Sequence, residues 1–180
     1  MTICIAALAD GAIVCIADKM LSFGDHSEWD SDVTKIHRVA GTHVLFAGGL
    51  SESQSVIEAF HVATGNTKYY YTGLAQVLES AYKKTYSQAQ DTNILHKAGI
   101  SREKYEDAIS SPNVVSQPIF YVFNEMREFT FECDIMMCGF DAAPAAYIVS
   151  ISPPGNLYGN VSLCVPNRYP YDGACGGNVA

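Results

Sequence analysis

Residues 3–8 and 12–17 are two short runs rich in β-branched and other apolar side chains, separated only by Ala9-Asp10-Gly11. An Asp-Gly pair supplies the positive backbone φ angles of a two-residue hairpin turn, whose twist matches that of the strands it joins. The chain is therefore expected to enter an antiparallel sheet almost at its first residue. The pattern recurs at 35–39, the turn Ala40-Gly41-Thr42 and 43–47, closed by Gly48-Gly49. The stretch 22–32 between the two hairpins is polar, with Gly24, Asp25 and His26 marking a turn.

Helical periodicity follows the hairpins. Ser51 with Gln54 three residues later has the form of a capping box, and Val56, Ile57, Phe60 and Ala63 repeat at helical spacing up to Gly65. Thr72 reads as the cap of a second helix, in which Leu74, Val77, Leu78, Ala81, Tyr82 and Thr85 share one face while Lys83, Lys84 and Gln88 face away. Two helices after two hairpins predict a helical layer laid across a sheet. Residues 91–116 are polar and mixed, with a short helix expected at about 102–109. Pro118 suits a first helical turn, and Ile119, Val122, Phe123 and Met126 mark one face of a helix over 117–128, an aromatic-rich strand being the alternative. Strands are expected at 131–140 and 145–152 around Asp141-Ala142-Ala143-Pro144, with a stop at Pro153-Pro154-Gly155-Asn156. The tail carries a weaker strand signal from Val161 and then Gly173-Ala174-Cys175-Gly176-Gly177.

The 180 residues, 48% of them hydrophobic, are expected to form one domain over 1–180. A chain of this length buries roughly 70% of its unfolded surface and needs no metal or disulfide staple. Eleven Lys and Arg against 19 Asp and Glu give a net charge of −8, which disfavours nucleic acid and anionic membranes as partners. The first cationic side chain is Lys19, and the early apolar runs are far shorter than the roughly 20 residues that span a bilayer, so neither a signal peptide nor a membrane span is expected. The six cysteines contain no CxxC pair, which suits free thiols in the cytoplasm. The five histidines lack metal-ligand spacing, so neither a metal nor a cofactor is expected.

Thr2-Ile3-Cys4-Ile5-Ala6 leading to Asp10-Gly11 and Ile16-Ala17-Asp18, then Val33-Thr34-Lys35-Ile36 and Phe46-Ala47-Gly48, resembles the opening third of the proteasome β-subunit family and its bacterial relatives. These are N-terminal nucleophile (Ntn) hydrolases. Cys138-Gly139-Phe140-Asp141, with the strand at 145–152 and Pro154-Gly155, is similar to a later hairpin of the same family. The resemblance implies an α+β fold, a four-layer αββα sandwich of two antiparallel sheets. Set against the family, a 180-residue chain implies a truncated or incomplete C-terminal helical layer.

A threonine hydroxyl is a poor nucleophile until a base takes its proton, and a chain-terminal threonine carries such a base in its own α-amine, with a reference pKa of about 7.7–8.0. Trimming of Met1 would expose Thr2. By the resemblance, Thr2 is the nucleophile of a threonine-type peptidase or amidase, and Asp18 and Lys35 match the aspartate and lysine that tune its amine. Gly48 matches the glycine whose N–H holds the oxyanion, Phe46, Leu21, Val33 and Leu50 match pocket positions, and Cys175 stands where a supporting serine is usual in a loop. A peptide or protein substrate and a ring-shaped homo-oligomer are implied, while an ATPase partner is undetermined. The alternative is a non-catalytic structural or assembly subunit with the same fold. A further alternative is a cysteine-dependent enzyme using an internal thiol, Cys133 or Cys138.

Overall fold

The computed structural model describes residues 3–9, 12–23, 27–30, 33–65, 70–110, 117–140, 146–152, 162–164 and 172–176. Strands β1 (Ile3–Ala9) and β2 (Ala12–Ala17) pair antiparallel with Ala9 opposite Ala12, so residues 10 and 11 are the two-residue connection. The Asp-Gly turn itself lies outside the described residues, as does the turn expected at 141–144. The second hairpin is also as expected, with β5 (Ile36–Val39) and β6 (Thr42–Gly48) on either side of Ala40-Gly41.

Two sheets result. One has the order β10-β1-β2 and the other β5-β6-β7-β8-β9, where β7 is Cys133–Phe140, β8 Ala146–Ser152, β9 Ser162–Cys164 and β10 Asp172–Gly176. The larger sheet is buried on both faces, and this is why its strands read as almost continuous apolar runs. Leu45, Ala47, Met136, Cys138 and Ile148 meet Cys4 and Ala6 of the smaller sheet. Val44, Phe46, Ile135, Met137, Val149 and Ile151 point the other way, into helices α1 (Leu50–Thr64) and α2 (Tyr71–Gln90). Val56, Ile57 and Phe60 of α1 and Leu74, Leu78, Ala81 and Tyr82 of α2 fill that layer, on the face that the periodicity predicts. The fold is therefore α+β, with two stacked antiparallel sheets and a helical layer on one of them, as in the Ntn sandwich.

On its outer face the smaller sheet carries Ile3, Val14 and Ile16, which are 48%, 47% and 58% exposed, so no helix among the described residues covers it. Helix α2 continues through a π turn (Asp91–Leu95) toward α3 (Arg102–Ser110) and α4 (Gln117–Glu128), which enclose a satellite core of Ile94, Leu95, Tyr105 and Val122. Residues 117–128 are thus helical, and the strand alternative is set aside.

The polar stretch after β2, where a turn is expected at 24–26, forms a hairpin of its own, β3 (Met20–Phe23) with β4 (Ser27–Asp30), and the turn itself lies outside the described residues. Three expectations are corrected. The glycine-rich segment holding Cys175 is a strand and not a loop, because β1 offers it a free edge to pair with. Ser51 lies inside α1, whose N-cap is Gly49 with no side-chain cap, the Gly49 carbonyl accepting from the Ser53 N–H at 3.0 Å. Thr72 likewise lies inside α2, whose N-cap is the extended Tyr70, with its carbonyl accepting from the Leu74 N–H at 3.0 Å.

Candidate active site

The antiparallel register of β1 and β2 ends at Cys4 opposite Ala17, which sets Asp18 beside Ile3. The Asp18 N–H donates to the Ile3 carbonyl at 3.1 Å, and the Ile3 N–H donates back to Asp18 Oδ2 at 2.7 Å. The other carboxylate oxygen, Oδ1, takes the ammonium of Lys35 in a hydrogen-bonded ion pair. Lys35 reaches it from the other sheet. Its carbonyl accepts from the Phe46 N–H at 3.3 Å, one step before the first β5–β6 pair, Ile36 with Leu45. Burying an ammonium is costly without a partner of opposite charge, and the Lys35 side chain is only 1% exposed against 27% for Asp18. The sequence-predicted Asp18 and Lys35 are therefore brought together at the junction of the two sheets, against the backbone of Ile3. Thr2, the residue joined to Ile3, lies outside the described residues.

Gly48 ends β6 beside this junction. Donor directions alternate along an antiparallel strand, so the Gly48 N–H, two residues beyond that of Phe46, lies on the same β5-facing edge as the bond to Lys35. The chain then bends. Gly48 has a φ of +104°, and the Gly49 N–H turns to the Glu132 carbonyl at 2.5 Å. A Cβ on Gly48 would strike the Glu132 carbonyl oxygen and stand 2.8 Å from its carbon, so both the dihedral and the space require glycine.

Of the expected pocket residues, Phe46, Val33 and Leu50 fall in one cluster, with Phe46 1% exposed and the other two packed against the helical core. The Phe46 ring stacks on His37 with centroids 5.7 Å apart. His37, which no spacing signal marks, has a buried Nε2 without a hydrogen-bond partner among the described residues. Leu21 belongs to β3, away from these strands in sequence pairing, and its side chain is outside what is described. Cys175 lies opposite Cys4 in β10, one residue from the Gly176 that opposes Ile3, so the start of β1 is flanked by Asp18 on one side and by this segment on the other.

Neither alternative thiol is placed to attack a substrate, Cys133 being 1% and Cys138 0% exposed. Burial pushes the Cys133 thiol up to about 12, and burial also pushes Cys138 upward, where reactive cysteines are depressed and partly exposed. No helix among the described residues is long and apolar enough to cross a membrane.

No family model matches the chain, and no curated protein sequence matches it. Solved structures do. Anbu (ancestral β-subunit) from Yersinia bercovieri is 13% identical with a TM-score of 0.58, over 97% of this chain and 60% of that one. The Anbu (Gly-1) mutant from Hyphomicrobium sp. strain MC1 is 13% identical with a TM-score of 0.57, over 98% and 60%. The helical assembly of the Anbu complex from Pseudomonas aeruginosa is 14% identical with a TM-score of 0.56, over 97% and 60%. The chain spans about 60% of the length of these structures, and at such identity the likeness is one of fold, a proteasome-like arrangement of sheets and helices.

Proposed function

We propose that the chain is an N-terminal threonine hydrolase that cleaves amide bonds in peptides, once Met1 is removed. The observation that carries this reading is the Asp18 carboxylate, which accepts both from the buried Lys35 and from the N–H of Ile3, the residue that follows Thr2. In this reading the Thr2 α-amine takes the proton of Thr2 Oγ1 as the hydroxyl attacks the scissile carbonyl and returns it to the leaving amine, and water, deprotonated by the same amine, then releases the acyl group from Oγ1 as a carboxylic acid. The Lys35 ammonium disfavours a second positive charge on that amine and so keeps it basic enough yet unprotonated. Asp18 positions Lys35 and, through Ile3, the first residues of the chain. The Gly48 N–H donates to the oxyanion. Phe46, Val33 and Leu50 shape the wall next to the scissile bond, favouring apolar groups, with Leu21 and Cys175 as outlying contributors. No metal or cofactor enters, and the working form is a homo-oligomer in the cytoplasm.

The test is N-terminal mass analysis before and after treatment with a β-lactone, which acylates an activated hydroxyl. The expected result is loss of Met1, one acyl group on Thr2, no adduct in Thr2→Ala and acylation slowed by about 10²-fold or more in Lys35→Ala. Retained Met1 with no adduct would replace this reading by the non-catalytic subunit.

A further inference from the structure

We propose that Cys15 and Cys138 are a redox modification site, forming a reversible disulfide that clamps the two sheets together when the protein meets a peroxide. Cys15 stands on β2 of the smaller sheet and Cys138 on β7 of the larger, and their sulfur atoms are 3.2 Å apart across the layer between the sheets. A disulfide bond is about 2.05 Å long, so joining them needs a closure of only about 1 Å. The layer is lined by small side chains, Ala6, Ala17 and Ala47, which let the two sheets approach closely at this place. Thr42 Oγ1, donating to the Cys138 carbonyl at 2.6 Å, holds the β7 side in position.

The two thiols differ in access, and this assigns their roles. Cys15 is half-buried and Cys138 fully buried. The Cys15 sulfur attacks one peroxide oxygen. An S–O bond forms, the O–O bond breaks, and the departing hydroxide leaves as water with the Cys15 proton. The Cys138 sulfur then attacks the resulting sulfenic acid; the S–S bond forms, the S–O bond breaks, and a second water leaves with the Cys138 proton. Two thiols lose two electrons in all, and one peroxide becomes two waters. Burial keeps peroxide from Cys138 while Cys15 is the more accessible of the two, so Cys15 is the thiol oxidised first and Cys138, already in contact with it, resolves the sulfenic acid.

The remaining thiols are engaged differently. Cys133 faces the helical layer, where Ser53 Oγ lies 3.5 Å from its sulfur, and the Cys4 sulfur donates to the Phe46 carbonyl at 3.0 Å. Cys4 and Cys175 oppose each other in register, so a cross-strand bridge there is the rival product. A Cys15–Cys138 bridge would close a loop across a sequence separation of 123 residues and restrict the unfolded chain accordingly.

The experiment treats the intact protein with hydrogen peroxide, blocks residual thiols by alkylation, and maps the digest by mass spectrometry without reduction. The expected result is a peptide linking Cys15 to Cys138, lighter by two hydrogens and released by dithiothreitol, with a melting temperature several degrees above that of the reduced protein. Cys15→Ala, at the half-buried position, should lack both the link and the melting shift, and Cys138→Ala should instead yield a Cys15 sulfenic acid that dimedone traps. Should Cys138→Ala fail to fold, the wild-type map and Cys15→Ala decide. A map in which both thiols stay reduced, or in which the bridge joins Cys4 to Cys175, overturns the proposal.

Discussion

Asp18 and Ile3 are joined by two reciprocal hydrogen bonds, backbone N–H to backbone carbonyl at 3.1 Å in one direction and backbone N–H to carboxylate at 2.7 Å in the other. The first strand is thereby tied to the carboxylate that also holds Lys35.

The two members of the ion pair are unequally buried, so their substitutions should be unequal. Asp18→Asn keeps an acceptor for Ile3 but takes the negative charge away from the Lys35 ammonium, whose side chain is only 1% exposed. Lys35→Met leaves a carboxylate that water reaches. The expected costs are about 3 kcal/mol for Asp18→Asn and about 1 kcal/mol for Lys35→Met, compared by urea denaturation at pH 7. Equal costs would mean that burial does not set the balance.

Gly48 and Gly41 both have positive φ, at +104° and +83°, but only Gly48 is crowded by backbone. Gly41→Ala should cost about 1 kcal/mol, the ordinary penalty of a left-handed alanine. Gly48→Ala adds a collision with the Glu132 carbonyl and should cost about 3 kcal/mol or more, seen as a fall in thermal midpoint. The same variant should lose hydrolase activity in the proposed mechanism.

Alkaline solution should destabilise the fold. Burial raises the Cys133 thiol from 9.0 to about 12 and raises Cys138 and Tyr82 as well. Between an ordinary value near 9.0 and the folded value near 12 the unfolded chain has released the Cys133 proton while the folded chain retains it. The folded state binds more protons there, so stability is fully present below that window and falls as pH rises through it, by about 1.4 kcal/mol per pH unit for each such group. Denaturation curves from pH 8 upward check the sign, and Cys133→Ala should flatten the slope by one proton.

Tyr82 donates its hydroxyl to the Cys133 carbonyl at 2.7 Å inside the helical layer. Tyr82→Phe should cost about 1–2 kcal/mol at neutral pH, since a buried carbonyl loses its side-chain donor. Calorimetry of the variant beside wild type measures it.

What could be read from the chain follows from where each signal resides. The hairpins at β1–β2 and β5–β6 and the faces of α1 and α2, the exposed Ala63 aside, are local patterns of period 2 or 3.6 and appear where the sequence puts them, whereas of the face expected for α4 Val122 is buried and Phe123 is 38% exposed. Strand β10, with Gly173, Ala174 and Gly176, has little intrinsic preference for a strand; it pairs because the distant Ile3 edge accepts it. The polar β3–β4 hairpin carries no alternation to betray it. Ser51 and Thr72 have cap chemistry, yet the bend at Gly48-Gly49 and the extended Tyr70 start the helices earlier. At the candidate site, Asp18 and Lys35 were legible because charged residues at strand ends fit a known order, whereas Ile3 and Glu132 act through main-chain atoms that any residue possesses. His37 gave no signal, since its partner is a ring on a neighbouring strand.

The Glu132 carbonyl has a consequence for how such a chain can drift over generations. One oxygen receives the Gly49 N–H and bars a side chain from Gly48, while the Glu132 side chain itself is exposed. The residue that imposes the restriction is thus free to change its identity, and the restriction is inherited at two other positions. Tolerance scanned residue by residue would mark 132 as permissive and 48 as fixed, although a single atom of the former dictates the latter.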